Sequence, residues 1–204
     1  VQTCALPICL FLTRMSAIGL GSVVYYLHVE GTIKRDDYSK LLKVIQRTYP
    51  RGKAPLEFNE VRVKYVFKTD RQEEVLHFIS RQTNVGRRYS IRYQGMANRT
   101  KGMIQVGIGQ EFECSEEGGG FIQEMGFVPM AKRTSHGYQW CVGEGIYLEV
   151  FEKKGDAKDP KSDGVCFELF SFCPNEHIDR ASYMMETTIR LLQPYAHVPD
   201  EELK

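Results

Sequence analysis

The sequence predicts an α+β fold, a predominantly antiparallel β-barrel of about eight or more strands with flanking helices. Three observations carry this. Strand-like runs recur between short turns through most of the 204 residues. Helical periodicity occurs only after the first strand, near the middle and at the end. In Gly102–Phe112 the glycines Gly107 and Gly109 fall on one face, where a strand can bend sharply or admit another backbone, as barrel corners require. Successive strands with few helices imply a curled sheet or barrel.

The elements follow in order. Val23 to Ile33 is a first strand, rich in β-branched and aromatic residues. Arg35 to Thr48 is a helix with Tyr38, Leu41, Leu42 and Ile45 on one stripe, ended by Pro50 and Gly52. Glu60 to Lys68 alternates, and the expectation is that Val61, Val63, Tyr65 and Phe67 point inward while Arg62, Lys64 and Lys68 point outward. Val75–Ser80 and Arg88–Gln94 are strands around an Asn84–Arg87 turn, and Gly102–Phe112 follows. Ser115 is the expected N-cap of a central helix. Gly118–Gly120 conflicts with that helix by roughly 3 kcal/mol of propensity, so it either begins late or is held by packing. In Phe121–Phe127, Gly126 sits where a helix end wants a positive φ, with Phe127 folding back on Ile122. Val128–Thr134, Tyr138–Val142 and Gly145–Lys153 are further strands, with turns expected at His136-Gly137 and Gly143-Glu144. A polar loop over Lys154–Gly164, a last strand Val165–Cys173 and a closing helix Ile178–Leu192 complete the chain.

With 27 basic and 26 acidic side chains the formal net charge is +1, so no global field draws the chain to nucleic acid or a membrane surface. No apolar run reaches the ~18 residues of a membrane span. Val1–Ile8 looks like the translation of a sequencing adapter, and residues 1–14 are expected to be a non-native or untranslated leader before Met15. Residues 15–204 are then a single domain. Cys114, Cys141, Cys166 and Cys173 form no obvious disulfide framework.

The sequence holds no Gly-x-Ser-x-Gly elbow, phosphate loop or dinucleotide fingerprint. Its five histidines are scattered singly. Cys166 and Cys173 have opposite parity in one strand and cannot share a tetrahedral metal site without a bend, so neither metal nor cofactor is expected. Arg88 and Arg92 share one strand face while Tyr89, Ile91 and Tyr93 share the other. That separation disfavours a single-stranded RNA platform, which needs aromatics beside the basic groups. Two late strands are apolar on both faces and need cover on both. The stripe of the last helix, Ile178, Ala181, Met184/Met185, Thr188 and Leu192, is narrow for both strands. An uncovered remainder would mark a partner interface, with Tyr147, Phe151, Phe170 and Phe172 as its candidates.

Four segments in order resemble the Mediator of RNA polymerase II transcription subunit 18 family. They are Tyr26–Ile33, Ile91-Arg92-Tyr93-Gln94-Gly95, the Phe121–Phe127 stretch ending Glu-Met-Gly-Phe, and Leu192-Gln193-Pro194-Tyr195-Ala196-His197. Gly118–Gly120 departs from that family's usual helix-forming residues. The resemblance implies a non-catalytic subunit of the Mediator head module, a nuclear coregulator working by protein–protein interaction. It would pair with subunit 20 and bind a C-terminal helix of subunit 8, reaching the RNA polymerase II machinery indirectly, with neither membrane nor direct DNA binding. The family's barrel also resembles the triphosphate tunnel enzymes, which gives the enzyme alternative. Such a tunnel alternates glutamates on its first strand for a divalent metal, with inward Arg and Lys for the phosphates. Here Glu30 and Lys34 are present, but Thr32 stands at the second Glu position, and inward carboxylates look sparse on Val61–Phe67 and Ile104–Phe112. Catalysis is therefore not expected.

Overall fold

The computed structural model describes residues 24–49, 54–68, 73–154 and 164–198. The leader with Met15, the helix stop at Pro50 and Gly52, and most of the Lys154–Gly164 loop lie outside the described residues. Eight strands close a barrel: β1 (Val24–Ile33), β2 (Leu56–Lys68), β3 (Glu73–Thr83), β4 (Gly86–Lys101), β5 (Ile104–Cys114), β6 (Val128–Gly143), β7 (Ile146–Lys154) and β8 (Gly164–Pro174). Their order is β5-β4-β3-β2-β6-β7-β8-β1, and β1 pairs back on β5 to close the ring. A short β9 (Ala196–His197) adds to the end of β1 at Thr32 and Ile33. The pairings are antiparallel, as the strand-rich sequence predicts.

Three helices cover the outside: α1 (Tyr38–Thr48), α2 (Gly118–Glu124) and α3 (Ile178–Leu192). The α1 stripe buries Leu41 and Ile45, with Tyr38 and Leu42 packed partly against the same core. The α3 stripe is wider than its sequence spacing indicates, because Ser182 and Ile189 join Ile178, Ala181, Met185, Thr188 and Leu192 in being buried. One core forms between these two helices and the outward residues of the barrel, including Ile146, Leu148, Val150, Val165, Phe167 and Leu169. Tyr49 and Thr188 join the two helices through hydroxyls 3.0 Å apart.

The central helix α2 begins at Gly118, and packing settles its conflict. A Cβ on Gly118 would lie 2.8 Å from Cys114 Sγ and 3.0 Å from the Phe78 ring, so glycine is what lets this helix sit on the sheet. Its N-cap is Glu117, with no side-chain cap, and Ser115 instead accepts the Gly118 N–H at its carbonyl (3.1 Å). At the other end Gly126 has φ +93° and donates to the Gln123 carbonyl at 2.8 Å. Phe127 and Ile122 are buried together over Tyr65, Leu76 and Ile91.

Two further expectations fail, besides the N-cap at Ser115. The predicted turn at His136-Gly137 is the middle of one long strand, β6. Gly137 there marks a close approach, since a Cβ would lie 2.3 Å from the Val150 carbonyl oxygen on β7. The facing of β2 is also reversed. Glu60 and Arg62 are buried inside the barrel at 2% and 6% exposure, while Val63 and Phe67 lie outside and pack with the α2 core. Alternation tells which residues share a face. It does not tell which face closes inward when both become covered.

Candidate functional site

The interior of the barrel carries the chemistry. Strand register brings Glu149 of β7 directly opposite Glu168 of β8, which faces Glu30 of β1 on its other side. Like charges opposed across a ladder repel, and inside a low-dielectric barrel they need cations. Arg62 (β2), Arg81 (β3), Arg92 (β4) and Arg133 (β6) supply them, with Arg62 and Arg133 themselves partners in register.

Glu168 is the hub. It accepts from Arg92 Nη1 at 2.9 Å, Arg62 Nη1 at 3.2 Å, Arg133 Nη2 at 3.3 Å and the Tyr26 hydroxyl at 3.1 Å. His28 Nε2 lies 3.6 Å away. Glu60 accepts from Arg62 Nε at 2.8 Å and from Arg81 Nε at 2.9 Å. Glu149 takes Arg81 Nη2 at 2.8 Å and Gln139 Nε2 at 2.7 Å, and Glu111 takes Arg92 Nε at 2.8 Å. Aromatic rings back the cations, with Arg81 lying 4.4 Å over Phe58, Arg92 4.6 Å over Phe170 and Arg133 5.3 Å over Phe151.

The titration of these groups follows from burial set against pairing. Burial alone would push the Glu60 carboxyl up, but Arg62 and Arg81 overcome it and hold it at about 2. Burial likewise opposes the Glu168 carboxylate, and Arg62 and Arg92 hold it well below the usual range. Glu149 is raised by burial and by Glu60 and Glu168, against the pull of Arg81. His77 is lowered to about 3 by burial and by Arg62 and Arg92, which keeps it neutral.

At one end the barrel opens into a cavity of about 420 Å³, lined in part by Arg81, Arg88, Arg92, Tyr147, Phe170 and Phe172. This places the predicted interface residues. Tyr147, Phe170 and Phe172 stand at the mouth, and Phe151 lies deeper on the same inner face. Phe151 and Phe170 are 1% and 4% exposed, so they are not the outward surface expected of them, whereas Tyr147 is exposed and Phe172 half-buried. The doubly apolar strands have one face under the helices and the other turned into the barrel, which leaves little apolar surface outside them. Arg92, expected at the rim, is buried inside, with Tyr89 and Tyr93 on the opposite face of β4. Among the described residues no group of three or more His, Cys, Asp or Glu side chains converges for a metal ion.

Sequence reasoning missed Glu60, Glu149 and Glu168. A signal existed. A lone Glu within Ile146–Phe151 and another within Val165–Phe170, strands apolar on both faces, mark positions where a buried charge must meet a buried cation.

No family model and no curated protein matches the sequence. The fold is shared with solved structures. A chain of the Schizosaccharomyces pombe Mediator head module superposes with TM-score 0.57 and 10% identity, covering 85% of this chain and 97% of that one. A putative adenylate cyclase from Vibrio parahaemolyticus gives 0.54 and 9%, covering 87% and 95%. The Mimivirus capping enzyme triphosphatase gives 0.50 and 8%, covering 91% and 96%. At these identities the likeness shows the fold alone, an antiparallel barrel found in a chain of the Mediator head module, in a putative adenylate cyclase and in a triphosphatase. The expectation that catalysis is absent is therefore corrected. It rested on Thr32 at the second Glu position and on sparse inward carboxylates over Val61–Phe67 and Ile104–Phe112, yet Glu111 within the latter, and Glu60, Glu149 and Glu168 outside both, all face guanidiniums inside a barrel of the fold that the triphosphatase has.

Proposed function

We propose that this chain is a Mediator subunit 18-like component of the Mediator head module, a nuclear coregulator of RNA polymerase II transcription that acts by protein–protein interaction. Its partners are then subunit 20 and a C-terminal helix of subunit 8. The observation that carries the reading is the in-order placement of the four family-like segments on β1, β4, the α2 end and the α3 end of a barrel also present in the fission yeast module. The test is co-expression with the same organism's subunit 20 homologue. A stable complex is expected, and failure to co-purify two folded proteins overturns the reading. Tyr147→Ser, at an exposed position, tests the mouth as an interface without disturbing the core. An intact complex moves the interface elsewhere.

A second reading, a divalent-metal triphosphate hydrolase, is favoured by the arginines on the inner face. Phosphate release from a nucleoside triphosphate with Mn²⁺ or Mg²⁺, lost in Arg62→Gln, would support it. No release with either metal would remove it.

A further inference from the structure

We propose that the start of β6, residues 128–133 with the lysines beside it, is a docking surface for an extended segment of a partner protein that alternates acidic and apolar side chains. The inference goes beyond both readings above and depends on neither. It lies on the rim of the barrel, at the end away from the mouth. The ladder between β6 and β7 starts at Thr134, opposite Lys154, so residues 128–133 pair only with β2 among the described residues. Val128, Pro129, Met130, Ala131 and Lys132 are all exposed, with Val128 58% and Met130 61% open to solvent. Consecutive exposed apolar residues on a strand are a defect unless a partner covers them. The helices leave these bare, since α1 and α3 cover Ile146, Leu148 and Val150 on β7, and α2 covers Tyr65, Leu76 and Ile91.

Charge defines the partner. Among the described residues the lysine ion pairs join Lys40 to Asp37, Lys68 to Glu73 and Lys101 to Asp179. Lys64, Lys132, Lys153 and Lys154 stand outside those pairs, and all four belong to the parts of β2, β6 and β7 around this strip. Lys64 is opposite Ala131, and Lys154 is opposite Thr134, two residues along β6 from Lys132. Glu152 is the acid next to them, opposite His136. A cationic margin beside an apolar strip fits a segment that carries carboxylates and apolar groups together. The backbone sets the mode of contact. The register with β2 slips between Lys64 and Tyr65, which leaves Met130 as the extra residue of a bulge. Pro129 beside it has no N–H, so bulge and proline together bar a flat strand from adding to this edge. Recognition therefore falls to side chains, with apolar groups on Val128 and Met130 and carboxylates on the lysines. Residues 128–133 contain no aromatic side chain, which disfavours single-stranded nucleic acid, since bases need a stacking platform. The strip runs about 20 Å at ~3.3 Å per residue, the span of a short extended segment.

The test is fluorescence anisotropy of the full chain with a labelled synthetic peptide of Glu-Leu repeats, beside the same peptide with Gln for Glu or with Ser for Leu. Binding of the Glu-Leu peptide is expected, weakened at least about tenfold by the Gln change and about fivefold by the Ser change. Higher salt should weaken it as well. Lys132→Gln combined with Lys154→Gln, and separately Met130→Ser, should each cost at least about threefold, at exposed positions that folding tolerates. Lys43→Gln, on the outside of α1, is the control and should change nothing. No binding of the Glu-Leu peptide, or equal binding of the Gln or Ser peptide, overturns the proposal. So does an oligothymidine that binds more tightly than the Glu-Leu peptide, which would make the strip a nucleic-acid surface. A dimer in sedimentation velocity that is lost in Met130→Ser would assign the strip to a second copy of this chain, and overturns the proposal too. Unchanged peptide binding in both variants overturns the placement of the site.

Discussion

Replacing Glu168 by glutamine removes one charge from the centre of the barrel while keeping the side chain's shape. Arg62, Arg92 and Arg133 then lose the carboxylate they share, and the Tyr26 hydroxyl loses its acceptor. Breaking a buried pair by neutralising one partner costs about 3–5 kcal/mol, since the cations stay desolvated with less compensation. The hydrogen bonds to Glu168 are not additive, so the cost is not multiplied by their number. Set against a total stability of roughly 5–15 kcal/mol, the loss is large but survivable. With a urea slope of about 2 kcal/mol per molar, the midpoint should fall by about 2 M. Glu152→Gln, on the exposed side of β7, is the control and should move it by less than about 0.3 M. In the double variant with Arg133→Gln, the combined loss should be smaller than the sum of the single losses, because the second change removes a cation that the first left unpaired. A Glu168→Gln midpoint no lower than that of the control would refute the assignment of Glu168 as the hub of a desolvated network.

Stability should fall as pH drops from about 4.5 toward 2. Glu60 titrates at about 2 when folded, so its contribution is present above the unfolded carboxylate value and lost as pH falls through the folded one. The shift corresponds to roughly 3 kcal/mol, and Glu168 acts in the same direction. Glu149 opposes them, because its folded value is raised and its contribution is lost as pH rises through that value. Urea midpoints at pH 5, 4 and 3 that do not decline would contradict the pairing of Glu60 with Arg62 and Arg81. In α2, Gly120→Ala should stabilise by about 1 kcal/mol, because a Cβ there meets nothing within 4 Å. Gly118→Ala should destabilise through its clash with Cys114 Sγ and Phe78, and equal effects of the two in chemical unfolding would discount that packing. Phe151→Ser should abolish soluble expression while Tyr147→Ser preserves it, as their burial requires. Soluble, fully folded Phe151→Ser protein would place that ring outside the core.

Much of the fold was legible in local pattern. The stripe of α1, the glycine end of α2 at Gly126 and the boundaries of β8 follow from periodicity and turn chemistry, which depend on neighbours in sequence. The His136-Gly137 turn was misread because a glycine between two strand-like runs looks the same whether it turns the chain or yields to another backbone. Only the approach of Val150 to Gly137 distinguishes the two. The same limit hid the charged interior. Arg62 on one side of β2, and Val61 and Val63 on the other, are correctly separated by alternation but assigned to the wrong sides, and Glu60 shares the face of Arg62.

By itself the sequence determined that this chain forms antiparallel strands with three helices, and which residues of each strand share a face. That information is local, carried by a side-chain period of two in strands and 3.6 in helices. Which face of each strand became the inside was decided only when β1 paired with β5 and the sheet closed. Closure gives a barrel two coverable faces. Most aliphatic residues went outward beneath α1, α2 and α3, and the charges went inward together with Phe58, Phe151 and Phe170, where Arg62, Arg81, Arg92 and Arg133 from four different strands could neutralise Glu60, Glu149 and Glu168. A charge network of that kind leaves in the sequence only a lone Glu in each doubly apolar strand, and does not name its partners, which are brought together by strand register across the ring.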